Sequence, residues 1–206
     1  MLQRSVPCYD VLQHAIVELA KHYYIPRSNI LDLGCSTGIT LEKLKRFVPS
    51  EDLMGMDSSI AMLAIARKRL GDDIGLLPVD LNNVYEFRWA SVIIMNLTLQ
   101  FIRPMNRDAL LRKLYKALDP QGCIILVEKV LGPNPDFTEA YIDIYHDFKR
   151  DNKYTDSEIA RKREALENVL IPYKLEENRE LFQRNGFTQF DIFFKWFNFA
   201  GMLITK

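Results

Sequence analysis

Cysteine is scarce and scattered. Cys8, Cys35 and Cys123 are the three in the chain. An odd number with no C-x-x-C spacing reads as free thiols, not as a disulfide framework or a zinc site. The three histidines are isolated, so no metal is expected. No apolar run is long enough to span a bilayer and no signal peptide is evident; the expected setting is the cytoplasm, with no membrane partner. An excess of one charge is missing as well. Lys+Arg and Asp+Glu each total 27, whereas a protein whose main task is to grip a nucleic acid backbone favours a basic excess. No direct nucleic-acid partner is expected. Internal repeats and low-complexity tracts are absent too.

What is present suits one α/β domain spanning 1–206: 48% hydrophobic and 26% charged residues over a length that can bury a full core. Glycine numbers only nine, and two fall in the run N-I-L-D-L-G-C-S-T-G at 29–38. Residues 30–33 read as a buried strand, Gly34 permits a sharp turn, and 39–47 reads as a helix carrying Leu41, Leu44 and Phe47. Such a unit is expected to leave backbone N–H groups and a helix N-terminus facing a crevice, where open α/β sheets bind nucleotides. The dinucleotide fingerprint is not met, because Ser36 stands where G-x-G-x-x-G needs its second glycine. A pyrophosphate is therefore disfavoured.

Along the chain, 1–10 reads as a lead-in loop and 11–22 as an amphipathic helix. Strands are expected at 53–56, 76–79 and 90–95, the one at 76–79 at an edge because of Pro78. Helices are expected at 59–70, capped by Ser58, and at 107–118. Pro120-Gln121-Gly122 reads as a turn into a fifth sheet strand at 123–130. A segment at about 132–173, mostly helical by pattern, is too long for an ordinary connection and reads as an insertion covering the crevice or forming an oligomer interface. A helix at 175–184 and strands at 189–195 and 198–205 follow. The last two strands are too close for a crossover and must pair antiparallel. The expected fold is thus a doubly wound, mostly parallel seven-stranded α/β sheet ending in an antiparallel hairpin.

Polar residues fall at successive strand ends: Gly34 with Cys35 and Ser36, then Asp57, Asp80 and Asn96. Asp57 lies about twenty residues past the glycine turn, where a carboxylate accepts hydrogen bonds from ribose hydroxyls; it also suits an N-cap. Asp80 with the backbone of Leu81 suits an adenine edge, or a simple turn. Asn96 suits a position near a cofactor's reacting centre, or a turn cap. It does not open an N-P-P-Y sequence, so methylation of a base amino group is not expected.

The string D-L-G-C-S-T-G resembles motif I of class I S-adenosylmethionine-dependent methyltransferases. Together with M-L-Q-R-S-V-P-C-Y at 1–9, N-L-T-L-Q-F at 96–101, E-K at 128–129, H-D-F-K-R at 146–150 and K-R-x-x-L-E-N-V at 162–169, it resembles the carboxy-S-adenosyl-L-methionine synthase family over nearly the whole chain. The resemblance implies a reaction in which carbon dioxide lost from prephenate is trapped at the cofactor's methyl group by a sulfonium ylide. The products are carboxy-S-adenosylmethionine and phenylpyruvate, and a separate enzyme uses the former to modify wobble uridine in tRNA. It implies a homodimer, S-adenosylmethionine or its carboxylated form as cofactor, and no metal. Arg163 matches the arginine that reaches the added carboxylate from the neighbouring subunit. Tyr9, Gly34, Cys35, Ser36, Asp57, Ser58, Asp80, Leu81 and Asn96 match the remaining cofactor contacts. Arg4 and Lys129 are candidates for the two carboxylates of prephenate. The sequence departs from the family at Cys8, in place of glycine, at Ser58, in place of asparagine, and around Asp80, where a Gly-Asp pair is missing. A family segment that would precede Met1 is not in this sequence. These departures leave open an ordinary methyltransferase acting on an anionic small molecule. The absence of an evident general base leaves open a non-catalytic dimer that binds S-adenosylmethionine.

Overall fold

Runs of β-branched and apolar residues alternating with helical stripes build a layered α/β fold. The computed structural model describes residues 2–83 and 85–206, and for Leu2 and Gln3 the backbone alone; Met1 of the expected lead-in loop lies outside the described residues. In chain order the elements are α1 Leu2–Ser5, α2 Tyr9–Tyr23, β1 Asn29–Leu33, α3 Ile39–Leu44, β2 Leu53–Asp57, α4 Ile60–Leu70, β3 Gly75–Pro78, β4 Ala90–Asn96, α5 Pro104–Ala117, β5 Leu118–Lys129, α6 Pro135–Asp151, α7 Asp156–Leu166, α8 Leu175–Gln183, β6 Gln189–Trp196 and β7 Phe199–Thr205. Short 3-10 turns sit at Ser50–Asp52 and Leu99–Phe101.

The sheet order is β3-β2-β1-β4-β5-β7-β6. The first five strands run parallel. β7 lies antiparallel between β5 and β6, so the closing hairpin expected from the sequence is there, with its second strand on the inside. Pro78 ends the edge strand β3, where its missing N–H costs no ladder bond. Alternation along each strand divides the core in two. Leu31, Leu33, Ile124 and Leu126 face α5 and α8, while Ile30, Cys123, Ile125 and Val127 face α2, α3 and α4. Each fully buried Leu or Ile contributes roughly 1.5–3 kcal/mol, so the central strands anchor every loop at the sheet's C-terminal edge.

Four local expectations are corrected. Residues 2–10 do not form a loop. α1 precedes α2, which starts at Tyr9 after Cys8 takes a left-handed φ of 51°. Tertiary contacts hold this arrangement: the Arg4 guanidinium donates to the carbonyls of Asn152 and Lys153 at 2.9 and 2.7 Å, and the Tyr145 hydroxyl donates to that of Ser5 at 2.8 Å. The cap of α4 is Ser59, whose Oγ accepts the Met62 N–H at 3.3 Å, not Ser58. α3 ends at Leu44, short of Phe47, which lies exposed beneath the Lys21 ammonium. Finally, Pro120–Gly122 is no turn between elements. β5 leaves α5 directly at Leu118 and bulges there, pairing Leu118 with Ala90 and then Cys123 with Val92. A Cβ at Gly122 would run into the Ser91 carbonyl, which is why only glycine passes at that point.

Candidate active site

The backbone N–H groups of the turn after β1 are taken up by β2 and by the turn itself. The amides of Gly34 and Cys35 both donate to the Met56 carbonyl, at 2.7 and 3.0 Å, and that of Gly38 to the Cys35 carbonyl at 2.9 Å. The Ser36 amide donates to Asp57 Oδ2 at 2.9 Å. The expectation that these N–H groups face a crevice is therefore corrected. With the donors used and α3 only six residues long, the turn offers no phosphate cradle. Gly34 has a φ of +78°, and a Cβ on it would come within 2.7 Å of Thr98 Cγ2; the turn is pressed against the loop after β4 with no room for a side chain.

Between these two loops lies a cleft of about 500 Å³, lined among others by Gly34, Ser36, Asp57, Ser58, Asp80 and Leu81 and, from the β4 side, by Asn96, Leu97, Thr98 and Gln100. A tighter lobe of about 50 Å³ adjoins it, sharing Gly34, Ser36 and Asn96 and adding Tyr9, Asp32, Cys35 and Thr40. Nine residues expected from the sequence (Tyr9, Gly34, Cys35, Ser36, Asp57, Ser58, Asp80, Leu81 and Asn96) thus line one continuous depression. Arg163 does not. It sits exposed in the last turn of α7 and lines neither lobe. Ser36 and Leu97 both take left-handed backbone, with φ of 49° and 60°, and this strain in non-glycine residues sits on the cleft wall.

Each strand-end group has a definite state. Asp57 spends one lone pair of Oδ2 on Ser36 and one of Oδ1 on the Ser59 N–H at 2.8 Å, leaving both oxygens capable of a further bond. Asp80 accepts the Asn82 N–H at 2.9 Å and closes the turn after β3. Asn96 Oδ1 is buried with no protein partner. An orphaned acceptor of this kind is costly, and it stands where the two lobes meet. A nucleoside with an amino-acid tail and no phosphate fits this site. Asp57 and Asp80 would hold ribose and base, Tyr9 and the tight lobe would hold the tail, and Asn96 would lie at the junction.

Sequence reasoning missed several groups. Asp32 is 2% exposed in the tight lobe, and burial together with the charge of Asp57 pushes its carboxyl up to about 7. Its signal was a carboxylate inside an otherwise apolar strand. Glu128 accepts the N–H groups of Thr98 and Leu99 on Oε1, at 3.1 and 2.9 Å, and that of Gln100 on Oε2 at 2.8 Å. Burial pushes its carboxyl up to about 8, against the downward pull of those donors and of Arg107. The buried Arg107 donates to the carbonyls of Ile102 and Ile171, at 3.0 and 2.6 Å, and lies over the Tyr173 ring. These two side chains fix the 97–102 wall. Arg4, expected near a substrate carboxylate, is spent on backbone carbonyls and the Tyr154 ring. Burial raises the Cys35 and Cys123 thiols, so neither is a nucleophile. Among the described residues no group of three His, Cys, Asp or Glu could hold a metal ion, and no helix is long and apolar enough to cross a membrane.

A seven-stranded sheet of this order with a ligand cleft at its C-terminal edge defines a class I methyltransferase-like protein, and residues 30–122 match the methyltransferase domain family. The fold is shared with Streptomyces venezuelae DesVI, at a TM-score of 0.66 and 15% identity over 96% of this chain and 91% of that one. It is shared also with DhpI, solved as its SAH complex, at 0.65 and 15% over 97% and 86%. Across its full length the chain is 45% identical to the carboxy-S-adenosyl-L-methionine synthase of Methylococcus capsulatus, covering 88% of that protein, and 39% identical to that of Desulfotalea psychrophila, covering 86%. The chain belongs to the carboxy-S-adenosyl-L-methionine synthase family.

Proposed function

We propose that this chain converts S-adenosylmethionine and prephenate into carboxy-S-adenosylmethionine, phenylpyruvate and water. The observation that carries the reading is the two-lobed cleft, whose lobes meet at the partnerless acceptor of Asn96. A roomy polar lobe suits a nucleoside, a tight one suits an amino-acid tail, and the sulfur between them would lie by Asn96. When bound, the cofactor supplies a methyl group acidified by its sulfonium, and prephenate supplies the carboxyl group together with the hydroxide that leaves as water with the methyl proton.

The chain's own part is positioning and charge. Asp57 and Asp80 orient the nucleoside, and Tyr9 closes over the tail. Glu128 and Arg107 hold the 97–102 wall still, so that water is kept from the reacting carbon. Arg163, exposed on α7, is a residue for the neighbouring subunit of a homodimer, where its planar guanidinium would take the new carboxylate in a bidentate pair. The protein acts in the cytoplasm, and its product serves a separate enzyme that modifies wobble uridine in tRNA.

Mass spectrometry of the nucleoside formed on incubation with S-adenosylmethionine and prephenate tests this. A product heavier than S-adenosylmethionine by one CO2, appearing only with prephenate, is expected. Recovery of unchanged S-adenosylmethionine, or of S-adenosylhomocysteine with a methylated acceptor, would sink the proposal.

A further inference from the structure

Two lysines share one aromatic ring beside the cleft. Lys129, the last residue of β5, places Nζ 4.1 Å from the Tyr145 ring centroid and 5.6 Å from that of Phe199. Lys149 of α6, only 5% exposed, places Nζ 4.6 Å from the same Tyr145 ring. Among the described residues neither forms an ion pair with a carboxylate. The charges that act most strongly on them are cationic: Lys149 on Lys129, and Lys162 and Arg150 on Lys149. Burial pushes both ammoniums down to about 8. A second pair stands alongside, with Arg4 and Lys162 over the Tyr154 ring at 4.5 and 4.3 Å.

A ring face compensates a desolvated ammonium only in part. Each ammonium also carries three donors, and two like charges on one ring oppose each other. Buried charge left unpaired in this way is costly, and a small anion would relieve it. The position connects it with the cleft, since the Lys129 N–H donates to Gln100 Oε1 at 3.0 Å and Gln100 lines the cleft wall. The surroundings suit an unsaturated ring, because Tyr145, Phe148, Trp196 and Phe199 pack edge to face or stacked around the site.

We infer that Lys129 and Lys149 form the subsite for a carboxylate of the anionic co-substrate, seating a cyclic carboxylate next to the cofactor cleft. This deepens the proposed function and rests on it for the identity of that co-substrate. The two readings are separable by following the lysine Cε signals of the 13C-lysine-labelled chain by NMR, with saturating S-adenosylmethionine, while prephenate is added. The Lys129 and Lys149 signals, assigned from Lys129→Arg and Lys149→Arg, are expected to move. In Lys129→Met and Lys149→Met the prephenate KM is expected to rise about tenfold or more, with S-adenosylmethionine affinity changed by less than about twofold and the Arg variants largely restored. Signals that move while no carboxylated product forms would support the subsite and overturn the activity. Carboxylated product with unmoved signals and unchanged KM would overturn the subsite. Inorganic phosphate moving the signals as far as prephenate at equal concentration would overturn the carboxylate assignment.

Discussion

Glu128 and Gln100 hold each other across the end of the sheet. Glu128 Oε2 accepts the Gln100 N–H at 2.8 Å, and Gln100 Oε1 accepts the N–H of the next residue in β5, Lys129, at 3.0 Å. Through this exchange the wall of the cofactor cleft and the lysine pair share one rigid strand end. Glu128→Ala would leave three buried N–H donors without acceptors. A loss of roughly 3 kcal/mol is expected on urea unfolding, together with weaker binding of S-adenosylmethionine as the 97–102 wall loosens. Glu128→Gln keeps one acceptor oxygen and should lose less. Equal stability of wild type and Glu128→Ala would contradict this account.

Asn96 should behave in the opposite way. Its Oδ1 has no partner in the protein, so Asn96→Leu removes a burden from the free chain while depriving the cofactor of a contact. S-adenosylmethionine affinity should fall about tenfold by isothermal titration, with unfolding free energy unchanged within about 0.5 kcal/mol or raised. A variant that loses stability and keeps affinity would make Asn96 a structural residue.

Gly34 is tested by its neighbour. Gly34→Ala adds a Cβ against Thr98 at a φ of +78°, and a cost of roughly 2–3 kcal/mol is expected. Thr98→Ala removes the two nearest atoms in the way, Oγ1 and Cγ2, but also the hydrogen bond from Oγ1 to the Leu33 carbonyl at 2.8 Å. The double variant should therefore cost less than the sum of the two, as read from a double-mutant cycle in urea. Strict additivity would mean that backbone strain, not contact, sets the cost.

The legible parts of this protein were those written in adjacent residues. The strand expected at 90–95 announced itself by a run of β-branched side chains and was found at Ala90–Asn96, one residue longer. The polar residues at strand ends converge because parallel strands present their C-terminal ends on one edge, a consequence of topology that alternation already implies. The parts that escaped depend on residues far apart in sequence. Glu128 meets the amides of 98–100, and Arg107 meets the carbonyl of Ile171. No local period records such a meeting. α1 escaped for the same reason, since four residues cannot hold a helix by themselves and its contacts are with Tyr145 and Asn152, far along the chain.

Arg163 carries the sharpest distinction within the proposed function. Its exposure on α7 predicts little effect on the fold, so Arg163→Ala should unfold within about 0.5 kcal/mol of wild type. Retention of carboxy-S-adenosylmethionine should drop about tenfold or more through loss of a bidentate pair, while S-adenosylmethionine is held as before. An equal loss of both ligands would remove its proposed role.

The lysine pair makes stability and co-substrate affinity run in opposite directions with pH. Around Lys129 stand Lys149, His146 and the Tyr145 ring; around Lys149 stand Lys162, Arg150 and the same ring. In the folded chain both ammoniums titrate near 8, whereas an ordinary lysine holds its proton to 10.5. Between those values the unfolded chain binds more protons, so this pair makes stability rise as pH increases from about 8 to 10.5. Below 8 both lysines are charged in either state and the full cost of burying them is present. Affinity for an anionic co-substrate needs the charged form and should fall over the range just above 8. The unfolding free energy of the free chain in urea and the prephenate KM, each measured from pH 7 to 10, should therefore both rise above about pH 8. In Lys129→Met with Lys149→Met the rise in stability should flatten. A wild-type KM that stays level through this range would show that the ammoniums do not meet the co-substrate.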